Sequence, residues 1–350
     1  MDTTVFLFLS GGLFLGWTLG ANDAANVFGT AVGTRMLPFI KAAVICGLFV
    51  ILGAAIGGGG TTGTIGRLGA VNALAGAFMT AFAAGITVYG MTRAGLPVSV
   101  TEAIVGAIIG WNLFSGMETD TRTLIKILSS WIMSPIMAAI FAMILFELVT
   151  AWLRAAKLHL LHIDAYTRLG LILAGAFGAY SLGANNIANV VGVFIPAMTL
   201  DEISLGALGR LSSAQQLFIL GGIAIATGVV TYSKRVMMTI GSSLASLSPI
   251  AAWVVVVSYS LVLFIFSSQG LERFLAANGL PTIPLVPVSS SQAVVGAIIG
   301  IGIVKDIRGI RWRTLGHIGL GWVLTPPLAG LVSFIGLFFL QNVFGLTVHN

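Results

Sequence analysis

Charged side chains inside apolar stretches give this sequence its first chemical clue. Asp23, Glu102 and Glu147 sit in such stretches, where an ionisable group is costly and marks an ion or substrate path by default. Asp23 belongs to Gly20-Ala21-Asn22-Asp23-Ala24-Ala25-Asn26-Val27, which returns as Gly183-Ala184-Asn185-Asn186-Ile187-Ala188-Asn189-Val190. Glu102 belongs to a second repeated stretch, Pro97 to Gly110, matched by Pro287 to Gly300 with Ser289, Ser291 and Gln292 in the corresponding places. Glu147 lies near the end of its segment and reads as interfacial. Gly, Asn and Asp tolerate non-helical backbone and compete for backbone hydrogen bonds. Each Gly-Ala-Asn is therefore expected to interrupt a helix, freeing carbonyls for a cation and amides for an anion. Ser99-x-x-Glu102 and Ser289-x-x-Gln292 have capping-box spacing, so each predicts an extended stretch running into a helix N-terminus. The free N–H groups there, with the hydroxyls of Thr101, Ser290 and Ser291, could hold a tetrahedral oxyanion without a buried arginine. Neither motif holds a basic residue. An anion beside Asp23 then needs a cation with it, Na⁺ or H⁺.

Those motifs need a membrane around them. Of 350 residues, 57% are hydrophobic and 8% charged, against roughly 25% charged in soluble domains. The mean hydropathy is +1.03, and apolar stretches near the ~20 residues of a bilayer crossing recur throughout. The chain reads as an all-α, polytopic membrane protein. Soluble enzymes, nucleic-acid binders and disulfide-rich modules are excluded. The formal charge of +6 reflects loops between spans and no nucleic-acid partner. The single cysteine, Cys46, reads as a small core residue. The N-terminus lacks a basic region and a small-residue cleavage site, so no cleaved leader is expected. His159, His162, His317 and His349 lack metal-ligand spacing, and no nucleophile triad or Walker loop is present. Gly57 to Gly60 reads as a flexible helix end.

Repetition sets the architecture. Trp131, Ser134 and Pro135 reappear as Trp322, Thr325 and Pro326, giving three matches in the same order. The chain divides into a first repeat (1–155), a linker (156–167) and a second repeat (168–350). The loop after the second motif carries Glu118, Asp120, Arg122 and Lys126 in the first half, a neutral set. Its counterpart carries Lys305, Asp306, Arg308, Arg311 and Arg313. The positive-inside rule puts 305–313 and the 154–168 linker in the cytoplasm. One apolar segment separates that linker from the neutral loop, so equivalent loops face opposite sides. The repeats are inverted, as in many secondary transporters. Ten segments are expected, at about 4–34, 42–59, 68–92, 94–115, 127–153, 168–199, 214–232, 237–268, 283–304 and 314–341. Any of them could be a re-entrant hairpin. Five per half puts both termini outside.

With these motifs in place, the sequence resembles the inorganic phosphate transporter family, the Pit-type sodium- or proton-coupled symporters. The resemblance spans essentially the whole chain. It implies phosphate and cations held between the halves, usually in a homodimer, within the cell (inner) membrane, with no cofactor beyond the coupling ion. The substrate set it implies is Asn22, Asn26, Ser99, Val100, Thr101, Asn185, Asn189, Ser289, Ser290 and Ser291. The coupling-ion set is Asp23, Asn26, Glu102, Asn186, Asn189 and Gln292, with Na⁺ expected on Asp23, Asn26 and Asn189. Two positions depart from the family pattern: Asn186 stands where an Asp is usual, and Glu102 where many members have His. The expected function is phosphate import by cation symport with alternating access, Na⁺ preferred. Proton coupling through Glu102, or carriage of sulfate or a similar oxyanion, is the alternative. A passive anion channel and a membrane-embedded enzyme rank behind these.

Overall fold

The computed structural model describes residues 3–69, 71–94, 98–156, 159–204, 206, 209–243, 247–305 and 312–350, with the backbone alone at 160–161 and 239–243. Pro97 and most of the basic 305–313 loop fall outside the described residues. The first repeat contains α1 (Thr3–Gly33), α2 (Phe39–Gly57), α3 (Gly59–Gly69), α4 (Leu74–Arg93), α5 (Val100–Ser115) and α6 (Thr121–Ala156). The second contains α7 (Leu160–Val191), α8 (Ser213–Ser243), α9 (Pro249–Ile265), α10 (Gln269–Ala277), α11 (Ser290–Lys305) and α12 (Trp312–Asn342). A two-stranded antiparallel ribbon, β1 (Ile203–Ser204) with β2 (Arg210–Leu211), joins α7 to α8.

Among the described residues, seven helices are long and apolar enough to cross a membrane. The pair α9 and α10, bent by 65°, forms an eighth candidate, and α5 and α11 are shorter apolar helices. Together they correspond to the ten expected segments, and the chain is an integral membrane protein. Large apolar side chains exposed along α6 and α12, such as Ile132, Ile144, Leu148, Val323, Leu331 and Phe338, make these outer helices lipid-facing. Asp120 caps the start of α6. Asp120 accepts hydrogen bonds from the Thr123 hydroxyl (2.6 Å) and the Thr123 and Arg122 backbones, which hold its carboxyl below the usual carboxylate range.

Reciprocal close approaches reveal the inversion. A Cβ added at Gly20 of α1 would strike the Ile225 carbonyl of α8, and one at Gly183 of α7 would strike the Val50 carbonyl of α2. The same exchange recurs at the other end of each repeat. Gly106 of α5 lies on the Pro326 backbone of α12, and Gly296 of α11 lies on the Pro135 backbone of α6. Each repeat therefore lends its outer helices to the partner repeat's inner ones. The equivalent helices α1 and α7 also touch directly. Gly12 faces Val190 and Phe194, whereas Gly175 faces Phe28. Their numbers run in opposite directions along the contact, so α1 and α7 are antiparallel. Small residues permit this backbone proximity, which drives helix association where the solvent is itself apolar.

The helix breaks fall elsewhere than expected. Both α1 and α7 run unbroken through Gly-Ala-Asn, so no backbone carbonyls are released there. The reason lies in the amides. Instead of competing with their own helices, Asn22 donates to the Val98 carbonyl (3.3 Å) and Asn185 donates to the Leu263 and Val286 carbonyls (3.3 Å each). Asn185 also accepts from the Val288 N–H at 2.8 Å. These side chains satisfy the extended backbone on the approach to α5 and α11, which is where irregular structure lies inside the bundle. Among the described residues, α9–α10 is the one sharply bent pair that together could cross a membrane. The expected 237–268 segment is divided, because α8 continues to Ser243 and α9 starts at Pro249. The flexible end expected at Gly57–Gly60 is a tight crossing. Gly57 meets the Ala184 Cβ, Gly60 meets the Ser267 carbonyl, and α3 restarts at Gly59.

Candidate functional site

Two helix N-termini meet between the repeats. Ser99 caps α5, its Oγ accepting from the Glu102 N–H at 3.3 Å, and Ser289 accepts from the Gln292 N–H at 3.3 Å to cap α11. The first intrahelical bonds come from Ala103 to the Ser99 carbonyl and from Ala293 to the Ser289 carbonyl. The N–H groups of Val100, Thr101, Ser290 and Ser291 thus precede the helical ladder and have no acceptor within it. Val100 contributes only its backbone, since its side chain is apolar and buried. The side chains of the third helical residues, Glu102 and Gln292, do not close the capping boxes. Gln292 Nε2 instead donates to Glu102 Oε1 at 2.6 Å, tying the two termini to one another.

On one side of that tie stands a cluster built on α1. Asp23 Oδ1 accepts from Asn22 Nδ2 at 2.8 Å, and Asp23 Oδ2 accepts from the Ser290 hydroxyl at 2.7 Å. Asn26 Nδ2 donates to Ser290 Oγ at 3.3 Å. On the other side, built on α7, Asn189 Nδ2 donates to Asn186 Oδ1 and to Thr101 Oγ1 at 2.9 Å each. Thr101 in turn donates to the Val288 carbonyl at 3.2 Å. The helical spacing of 22, 23 and 26, and of 185, 186 and 189, places each set on a common face. Ser290–Asp23, Asn189–Thr101 and Gln292–Glu102 all cross between repeats, so the site is formed by the inversion itself.

All the residues expected at the site are buried. Four of their polar atoms, Glu102 Oε2, Asn186 Nδ2, Asn189 Oδ1 and Gln292 Oε1, lack a hydrogen-bond partner among the described residues, an expensive condition for buried groups. Ser291 pairs with Ser289 at 3.1 Å. Asn185 differs from the rest: three of its hydrogen-bonding positions are spent on the 263–288 backbone, so it braces the site. Sequence reasoning missed Thr61, whose hydroxyl donates to the Asn185 carbonyl at 2.9 Å. A threonine in a glycine-rich stretch carries no periodic signal that would have singled it out.

The donor set suits hard ions. It combines carboxylate, amide and hydroxyl oxygens, and no group of three His, Cys, Asp or Glu able to hold a metal occurs among the described residues. Replacing either cap, Ser99→Ala or Ser289→Ala, should destabilise the helix end it caps at a cost of about 0.5–2 kcal/mol. The concentration of anion giving half-maximal uptake should rise several-fold in variants that still fold. An unchanged substrate dependence in both would leave these hydroxyls with a purely structural part.

Paired inverted repeats that bring buried carboxylate, amide and hydroxyl groups together at two facing helix N-termini have the architecture of a membrane transporter. The chain belongs to the phosphate transporter family, whose model matches residues 19–333. It is 27% identical to a protein described as a phosphate permease from Pyrococcus abyssi, over 96% of this chain and 97% of that one. A similarly described protein from Methanocaldococcus jannaschii is 28% identical over 92% and 93%. The fold matches a solved structure described as the sodium-dependent phosphate transporter, with TM-score 0.74 and 21% identity over 98% of this chain and all of that one.

Proposed function

We propose that this protein imports inorganic phosphate by symport with a cation, Na⁺ by preference, through alternating access between the two repeats. One observation carries the reading. Asp23, a carboxylate, is joined through Ser290 to a helix N-terminus suited to an oxyanion, and neither motif supplies a cationic side chain. Phosphate there would face Asp23 across a few ångströms with little water to screen the repulsion, unless a cation entered with it. The N–H groups of 100–101 and 290–291, with Ser99, Thr101, Ser289, Ser290 and Ser291, are assigned to the anion. Asp23, Asn26 and Asn189 are assigned to Na⁺. The proposed topology has both termini outside and 154–168 and 305–313 in the cytoplasm, in a homodimer.

A second reading has its own support. Glu102 Oε2 is buried without a partner, and its Oε1 receives only the Gln292 amide. No basic side chain among the described residues pairs with it, so a proton carried on Glu102 would relieve the same repulsion. Uptake of labelled phosphate into proteoliposomes separates the two. An inward Na⁺ gradient at equal pH should drive accumulation, and excess sulfate should not compete. Uptake that ignores Na⁺ and follows an imposed pH gradient would transfer coupling to Glu102. Uptake abolished by sulfate would overturn the phosphate assignment.

A further inference from the structure

The bend between α9 and α10 opens a polar cavity of about 230 Å³. Its wall includes Gly57 at the end of α2, Tyr180 and Ala184 on α7, and Ser268, Gln269 and Arg273 at the bend. It reaches the first motif's second copy directly, since Ala184 precedes Asn185. The Leu263 carbonyl below it accepts from both Asn185 Nδ2 (3.3 Å) and the Ser267 hydroxyl (2.9 Å).

The polar side chains of this wall are disposed to donate. Arg273 lies at the cavity's own rim, its Nη2 donating to Gln269 Oε1 over a long 3.5 Å. That bond turns the Gln269 carbonyl toward the guanidinium, and the Gln269 amide N–H₂ makes no hydrogen bond among the described residues. Ser268 Oγ accepts from the Leu271 N–H at 3.2 Å, so its hydroxyl proton is directed elsewhere. The Tyr180 hydroxyl lies beside Gly57, with no hydrogen-bond partner among the described residues. No carboxylate lines the cavity; Glu272, next in sequence to Arg273, is not part of its wall. A cation, an amide donor and two hydroxyls around a volume of this size form a receptacle for a small oxyanion.

The cavity also breaks the symmetry of the repeats. Ser99 follows α4 almost directly, whereas α10 and residues 278–288 intervene between α9 and Ser289. The added segment therefore furnishes one mouth of the transporter with Arg273 and Gln269.

We propose that this cavity is an anion-capture vestibule, in which Arg273, Gln269, Ser268 and Tyr180 collect the oxyanion before it passes Ala184 to the buried site. The proposal rests on the transport reading above. Its charge acts mainly through encounter, because a cationic mouth raises local anion concentration in a salt-dependent way. The test is initial-rate uptake of labelled phosphate at low and high ionic strength by the parent, Arg273→Gln, Arg273→Lys and Tyr180→Phe. Arg273→Gln should raise half-saturation by about threefold or more at low salt and flatten its salt dependence, with the maximal rate little changed. Arg273→Lys should recover most of the salt dependence, and Tyr180→Phe should raise half-saturation without altering it. A transporting parent indistinguishable from Arg273→Gln and Tyr180→Phe in half-saturation and salt dependence would overturn the vestibule alone. A parent that carries no phosphate under any gradient would overturn the transport reading as well.

Discussion

Asp23→Asn should reduce gradient-driven phosphate uptake by about 100-fold or more while leaving the protein folded. A unit charge some 4 Å from a cation contributes about 4 kcal/mol at an effective dielectric of 20, and each 1.4 kcal/mol is a factor of ten. Two-thirds of that gain, about 2.8 kcal/mol, already amounts to a 100-fold loss. Folding should survive because the amide keeps the shape of the carboxyl and one acceptor oxygen for Asn22 or Ser290. Asn186→Asp is the informative companion. Asn186 Oδ1 already accepts from Asn189, while its Nδ2 has no partner, so an aspartate fits without losing a hydrogen bond. It should change the ion dependence of uptake and not the yield of folded protein. Near-parental, gradient-driven uptake by Asp23→Asn would sink both the anchoring role and this account of coupling.

Gly20→Val and Gly183→Val should each abolish recovery of a folded transporter. Their added Cβ atoms would lie on the carbonyls of Ile225 and Val50, and a backbone oxygen cannot turn aside as a side-chain tip can. Overpacking of tight cores commonly costs about 1–3 kcal/mol, with larger values where backbone must move. Separating α1 from α8, or α7 from α2, would also displace Asp23 or Asn186 from the opposite repeat. Gly63→Ala and Gly90→Ala are the controls, because nothing stands within 4 Å of a Cβ at either position. Size-exclusion profiles and thermal melts in detergent provide the readout. A Gly183→Val protein with the parent's elution and melting temperature would show that the reciprocal crossings are looser than the geometry implies.

The inverted architecture was legible because charge and repetition are properties of the chain itself. A neutral loop at 116–126 and a basic loop at 305–313 can be compared without coordinates, and the antiparallel contact of α1 with α7 agrees with that comparison. The helix caps at Ser99 and Ser289 were legible for a similar reason: capping is local, and its residues lie three apart. The interruption expected at Gly-Ala-Asn was not found. Helix-breaking propensity is a local argument, whereas Asn22 and Asn185 spend their amides on the backbone of other segments.

Composition therefore determines that the chain dwells in a bilayer, and duplication determines that its buried polar motif residues come in pairs. What each pair touches is a matter of tertiary packing. The capping spacing of Glu102 and Gln292 points each back to its own serine, yet the crossing of the repeats brings their side chains together at 2.6 Å. Asp23 likewise finds its hydroxyl partner, Ser290, far along the chain in the opposite repeat. Side-chain hydrogen bonds between distant segments leave no periodic trace in sequence, because their geometry exists only once the helices have packed.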